Sequence, residues 1–146
     1  MSYKTVEKSW LIDFGASRHM AGSYQNFVDY APDLKRQSVK LADGSSQTVL
    51  GSGTVMCGSN MTLSSVLHVP SFPTNLLSIS YITKELNCAI IFFPTWCLFQ
   101  ELGTGRRLGM GNMRDGLYYL DDNMSHAAAA ILSQSPLEEF LLHHRR

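Results

Sequence analysis

Trp10-Leu11-Ile12-Asp13-Phe14-Gly15-Ala16-Ser17-Arg18-His19-Met20 is the stretch from which the rest of the chain is read. The apolar residues through Ile12 predict a buried strand that runs straight into a carboxylate. Gly15-Ala16 then predicts a turn that holds Asp13 in a fixed place. Aspartate is rarely buried without a partner, because hydrogen bonds must replace the water a carboxylate loses. Two readings follow. Either Asp13 caps its own turn, the ordinary role of a strand-end aspartate, or it faces something supplied from elsewhere.

Composition narrows what that could be. A length of 146 residues predicts one domain with a core of ordinary size. Hydrophobic content of 45% and charged content of 16% fit a folded chain and exclude a disordered one. Twelve basic residues balance twelve acidic ones, so neither a nucleic-acid nor an anionic-membrane partner is expected. Cys57, Cys88 and Cys97 form no CxxC pair and are odd in number, which predicts core thiols in a reducing compartment. The first eight residues contain no apolar targeting core, and no run reaches the roughly 20 apolar residues of a membrane helix. A cytoplasmic location is the expectation.

From Val39 onward the pattern is one of short strands and turn signals. Val39-Lys40-Leu41 alternates, Asp43-Gly44 is a hairpin dipeptide, and Thr48-Val49-Leu50 resumes the strand. Gly51-Ser52-Gly53 predicts a bend before Thr54-Val55-Met56. Gly58-Ser59-Asn60 predicts a turn before Met61-Thr62-Leu63 and Val66-Leu67-His68-Val69. Pro70 and Pro73 bracket a stiff loop. Leu76, Ile79, Ile82 and Leu86 approximate helical spacing and predict one short helix over Ile79 to Leu86. Cys88 to Phe93 and Trp96 to Phe99 predict a hairpin, and Leu117 to Leu120 predicts a closing strand entered through Asp115-Gly116. The fold class expected is all-β, a small closed barrel over residues 1–122 with that single helix. Residues 123–146 are read as an alanine-rich linker followed by a helical tail, which starts at Ser135-Pro136-Leu137-Glu138 with a serine cap and proline in the first turn.

Several motifs fail for lack of context. Asp13-Phe14-Gly15 spells the metal-holding triplet of protein kinases, but only twelve residues precede it, too few for a phosphate-covering loop, a strand lysine and a catalytic loop. Gly51-Ser52-Gly53 has no helix behind it to bind a phosphate. No serine lies in a GxSxG elbow, and no cysteine has a nucleophile's surroundings. His19 and His68 could serve as bases, although a histidine in a β-rich domain is more commonly structural. His143-His144 lacks a second ligand pair in this chain. No metal and no cofactor are expected.

Residues Trp10 to Met20 resemble the Asp-Ser/Thr-Gly-Ala active-site loop of retroviral-type aspartic proteases, in the form found in copia-type retrotransposon polyproteins. Val39 to Ser45 resembles the segment at the protease flap. Val66-Leu67-His68-Val69-Pro70 and Asn75-Leu76-Leu77-Ser78-Ile79-Ser80 resemble the segment ahead of the family's helix. Gly116 to Leu120 resembles the family's closing motif. Leu142-His143-His144-Arg145-Arg146 resembles the opening of the zinc module that precedes integrase.

The resemblance implies a retropepsin-like barrel and an aspartic endopeptidase of a Pol polyprotein. Asp13 would be the catalytic carboxylate, within the loop Phe14, Gly15 and Ala16. Ala42, Asp43, Gly44 and Ser45 would form the flap, and Leu76, Leu77 and Ser78 the support beneath the loop, with serine where the family has glycine. A single aspartate per chain implies a homodimer, with polyprotein peptide as substrate and a virus-like particle as the setting. Phe14 departs from the family, which has a small hydroxyl residue there that hydrogen-bonds across the dimer axis. Phenylalanine cannot make that bond, so weak or absent activity on an intact fold is expected. Two alternatives stand beside the active endopeptidase: an inactive copy that keeps the barrel as a structural or binding module, and an unrelated β-barrel binding module.

Overall fold

Strand β1, Trp10–Asp13, lies in the middle of the molecule, in a computed structural model that describes residues 9–41, 43–57 and 61–121. Its alternation is that of a strand with one face in the core: Trp10 and Ile12 are buried, Leu11 and Asp13 are partly exposed. Strand β2 (Met20–Ala21) follows the Asp13 turn, and a single 3-10 turn (Tyr24–Asn26) leads into β3 (Phe27–Pro32). The hairpin β4 (Ser38–Lys40) and β5 (Ser46–Thr48) stands apart as a two-stranded sheet. Long strands β6 (Gly51–Cys57) and β7 (Met61–His68) come next, then β8 (Asn75–Ser78) and helix α1 (Ile79–Glu85). The chain finishes as a meander: β9 (Cys88–Phe92), β10 (Trp96–Glu101), β11 (Arg107–Arg114) and β12 (Leu117–Leu120).

Ten strands form one sheet in the order β3-β6-β7-β2-β8-β1-β12-β11-β10-β9. The fold is thus mostly β with one short helix, as expected. The expected closure is absent: β3 and β9 are the sheet edges, and no ladder joins them among the described residues. The reason lies at β1, whose far side pairs with β12 and so extends the sheet through the meander. The tail and linker read from residues 123–146 lie outside the described residues, as does the Gly58-Ser59-Asn60 turn.

Two glycine-containing segments differ from their sequence reading. Gly51-Ser52-Gly53 does not bend the chain but continues β6, pairing with both β3 and β7. A Cβ on Gly51 would lie 2.4 Å from the Tyr30 ring, and one on Gly53 2.1 Å from the Asp29 carbonyl oxygen. These glycines admit the neighbouring strand. Strand β11 was not foreseen, because Gly109 and Gly111 interrupt its apolar pattern. A Cβ on Gly111 would meet Cys97 Sγ at 2.8 Å, Ile12 Cδ1 at 2.9 Å and the Tyr119 carbonyl at 2.9 Å. Asp115 (φ 52°) and Gly116 (φ 81°) then make the tight turn into β12.

The main core gathers Trp10, Ile12, Leu63, Leu77, Ile82 and Phe99 with their neighbours from the whole sheet. All three cysteines belong to it. Burial pushes the Cys88 thiol up to about 11 and that of Cys97 up to about 12, the behaviour of inert core thiols. A second cluster, Met20, Val49, Leu67, Val69 and Phe72, lies beneath the β4–β5 hairpin. No helix among the described residues is long and apolar enough to cross a membrane.

Candidate active site

Asp13 ends β1 because its side chain competes for the backbone: Oδ1 accepts the Gly15 N–H at 2.8 Å, closing a short turn. The capping role is therefore real, and the carboxylate remains partly exposed while making it. Strand β8 runs parallel to β1 in the register Leu11↔Leu76, Ile12↔Leu77, Asp13↔Ser78. Leu76, Leu77 and Ser78 thus lie alongside the strand that delivers Asp13, with Ser78 directly opposite it.

Ser78 is the hub of a buried network. Its hydroxyl donates to the Ala16 carbonyl at 2.7 Å and accepts the Tyr81 N–H at 3.2 Å, so one side chain ties down the Asp13 turn and caps α1. Its backbone N–H donates to His19 Nδ1 at 2.9 Å. His19 is completely buried, and Nε2 lies 3.4 Å from Glu85 Oε1. Because Nδ1 is already an acceptor, the ring is neutral with its proton on Nε2, and the contact to Glu85 is a hydrogen bond rather than an ion pair. Burial, with a smaller contribution from the neighbouring Arg18 charge, brings His19 down to about 4.

Glu85 Oε2 accepts the Ser64 N–H at 2.7 Å, and burial raises its carboxyl above the usual range despite that bond. Ser64 is free to donate because the β6–β7 ladder slips between Gly53 and Val55. At the same irregularity Ser65 takes a positive φ of 54°, and its carbonyl accepts from Arg18 at 3.0 Å. The turn from Asp13 to His19 is thereby tied to β7, β8 and α1. Arg18, Ser64 and Glu85 were not foreseen as members of this site. The one available signal was Glu85, a charge three residues from the fully buried Ile82 on the same helical face.

Phe14 points away from this network. It is 68% exposed, and its ring lies 5.0 Å from that of Phe92 on β9, which in turn meets Tyr118 edge-on at 4.9 Å. Within one chain it crowds nothing. The hairpin carrying the expected flap is shaped by Gly44 (φ 89°), with Asp43 Oδ1 accepting from the Ser45 N–H and hydroxyl at 2.9 and 2.6 Å. Those bonds hold the Asp43 carboxyl below its ordinary value. Ala42 lies outside the described residues. Val39 and Leu41 of the hairpin and Leu76 of β8 all pack on the second cluster, which joins the expected flap to the support of the Asp13 turn.

His68, the other candidate base, is structural. Its Nδ1 shares a hydrogen bond with the Tyr30 hydroxyl at 2.7 Å, and Tyr24, Phe27 and Tyr30 surround the ring. Among the described residues no three His, Cys, Asp or Glu side chains are grouped to hold a metal ion.

The described residues thus form a mostly β domain, its ten-stranded sheet not closed among them, with the Asp13 turn at the end of a central strand. The family described as "Pol polyprotein, beta-barrel domain" matches residues 10–87, more than half of the chain and the span from β1 through α1, and the chain belongs to that family. It is similar to the retrovirus-related Pol polyprotein from transposon RE2 of Arabidopsis thaliana, 29% identical over 113 residues. That alignment covers 75% of this chain and 8% of the relative. The corresponding protein from transposon RE1 of the same plant is 28% identical over 113 residues, with the same coverage. The resemblance to retrotransposon Pol polyproteins read from the sequence is thus borne out. The chain spans only 8% of the length of these relatives.

Proposed function

We propose that this domain is the aspartic endopeptidase of a retrotransposon Pol polyprotein, acting as a homodimer on extended peptide segments of its own precursor. The observation that supports this reading most is the delivery of Asp13. It stands at the end of a central strand, in parallel register with Ser78, on a turn braced from three elements. One carboxylate cannot both activate a water and polarise a peptide carbonyl, so the chemistry calls for a second copy. Two Asp13 carboxylates about 3 Å apart cannot both ionise and share one proton. One removes a proton from the bridging water while the other protonates the carbonyl oxygen. The hairpin around Asp43-Gly44 closes over the substrate, which adds to the site as an extended strand.

A second reading is favoured by one observation. Phe14 puts a large exposed ring next to the carboxylate, where two copies of the turn would meet. In that reading the domain is a structural module of the polyprotein without cleavage activity. Peptide cleavage at mildly acidic pH by the wild type, Phe14→Ser and Asp13→Asn decides between them. The endopeptidase reading expects Phe14→Ser to exceed the wild type and Asp13→Asn to be inactive. Cleavage that survives Asp13→Asn refutes it, and no cleavage by a dimeric Phe14→Ser chain establishes the structural module.

A further inference from the structure

We infer that His19 is the positioning residue of the Asp13 turn, holding it as a neutral Nε2–H imidazole between the Ser78 amide and the Glu85 carboxylate. The argument is geometric. His19 closes the same turn that Asp13 opens, and its fully buried ring is the point at which that turn, β8 and α1 meet. Its own carbonyl accepts the Leu67 N–H at 2.9 Å, which adds β7. A ring nitrogen that accepts from a backbone amide cannot itself carry a proton. Protonation would set the Nδ1–H against the Ser78 N–H, two donors 2.9 Å apart with no acceptor between them, at a fully buried ring. Ser78 would have to move, and with it the hydroxyl that holds the Ala16 carbonyl in the turn.

The groups facing the ring limit what else could set its charge. Arg18 disfavours a second positive charge beside it, and Glu85 favours one. Tyr81 of α1 meets the ring edge-on at 5.1 Å. From β8 the ring is met by the Ser78 N–H, while β7 reaches the surrounding network through Ser64 at Glu85, Ser65 at Arg18 and Leu67 at the His19 carbonyl, and none of these four titrates in the working range. The neutral ring is therefore selected by its donor at Nδ1, and the turn is braced only while it stays neutral.

This inference rests on the endopeptidase reading only for what the positioned carboxylate does, so its test reads protons and no cleavage. In the full chain, long-range proton–nitrogen spectra of the His19 ring at neutral pH are expected to show Nε2 protonated and Nδ1 bare. Lowering the pH until the ring titrates is expected to shift the Gly15 and Ser78 amides with the same midpoint. Two variants separate positioning from mere packing. His19→Asn keeps an acceptor where Nδ1 stands, and His19→Gln keeps a donor where Nε2 stands. Hydrogen exchange at the Ser78 amide is expected to stay near wild type in the first and to accelerate about tenfold in the second. A proton on Nδ1 overturns the inference, as do Gly15 and Ser78 signals that ignore the ring's titration. Equal exchange in the two variants overturns it as well. Should either variant fail to fold, the wild-type spectra alone decide. Absence of peptidase activity leaves every one of these signals unchanged.

Discussion

Replacing Gly111 by alanine tests whether the meander truly backs the strand that carries Asp13. The added Cβ would fall 2.8 Å from Cys97 Sγ and 2.9 Å from both Ile12 Cδ1 and the Tyr119 carbonyl oxygen. The sulfur and the methyl belong to side chains that could swing, but both are in the packed core. The carbonyl belongs to β12, which is paired to β11 through Asn112↔Tyr119 and to β1 through Leu11↔Tyr119. Relief therefore requires either β12 to move or Ile12 to leave its place one residue before Asp13. Overpacking of this kind costs about 1–3 kcal/mol, and a domain of this size loses roughly 4 °C in Tm per kcal/mol. Gly103→Ala is the control, since nothing lies within 4 Å of its Cβ position and its φ is unremarkable. Urea unfolding of the two variants, read by tryptophan fluorescence, is the assay. The expected result is a clearly lowered midpoint for Gly111→Ala at unchanged m-value and no shift for Gly103→Ala. Wild-type stability in Gly111→Ala would refute the placement of β11 against β1 and β10.

Three further outcomes follow from the same geometry. Ser78→Ala removes the bond to the Ala16 carbonyl and the cap of α1 together, and is expected to cost about 1–3 kcal/mol by chemical denaturation. The folded chain holds His19 near 4, below its unfolded value of 6.5, so the unfolded state takes up the proton first. Stability is then fully present above about pH 6.5 and falls as the pH drops toward about 4, by at most about 3 kcal/mol. Glu85, raised by burial, opposes part of that loss. Unfolding measured across this window should no longer show the loss of stability toward low pH that His19 causes once it is replaced in His19→Asn. Phe14→Ser gives up only an exposed ring contact with Phe92 and is expected to shift stability by no more than about 1 kcal/mol, which circular dichroism melts can check.

Short-range chemistry explains what could be read in advance. Trp10-Leu11-Ile12 running into Asp13 specified a strand that stops, and the carboxylate's bond to Gly15 is the local event behind that stop. Asp43-Gly44 specified a hairpin because the left-handed backbone of Gly44 tolerates no ordinary side chain at low cost. The helix over Ile79 to Glu85 followed from its apolar spacing and from the cap that Ser78 supplies.

Other features could not be read locally. Strand β3 is exposed along nearly its whole length, so it has no apolar period, and only pairing with β6 makes it a strand. The glycines of β6 and β11 look like turn residues in sequence and act as clearance between layers in space. Phe14 read as bulk in a crowded place, whereas in the single chain it lies outward on Phe92. By itself the sequence determined the element that carries Asp13, the turn that stops it, and the family of polyprotein domains to which both belong. Tertiary structure alone decided that the sheet of the described residues stays open, that Ser78 stands opposite Asp13, and that a neutral His19 braces the turn. The bracing by His19 depends on residues 59 and 66 positions apart being brought within hydrogen-bonding distance, and no local pattern records such a meeting.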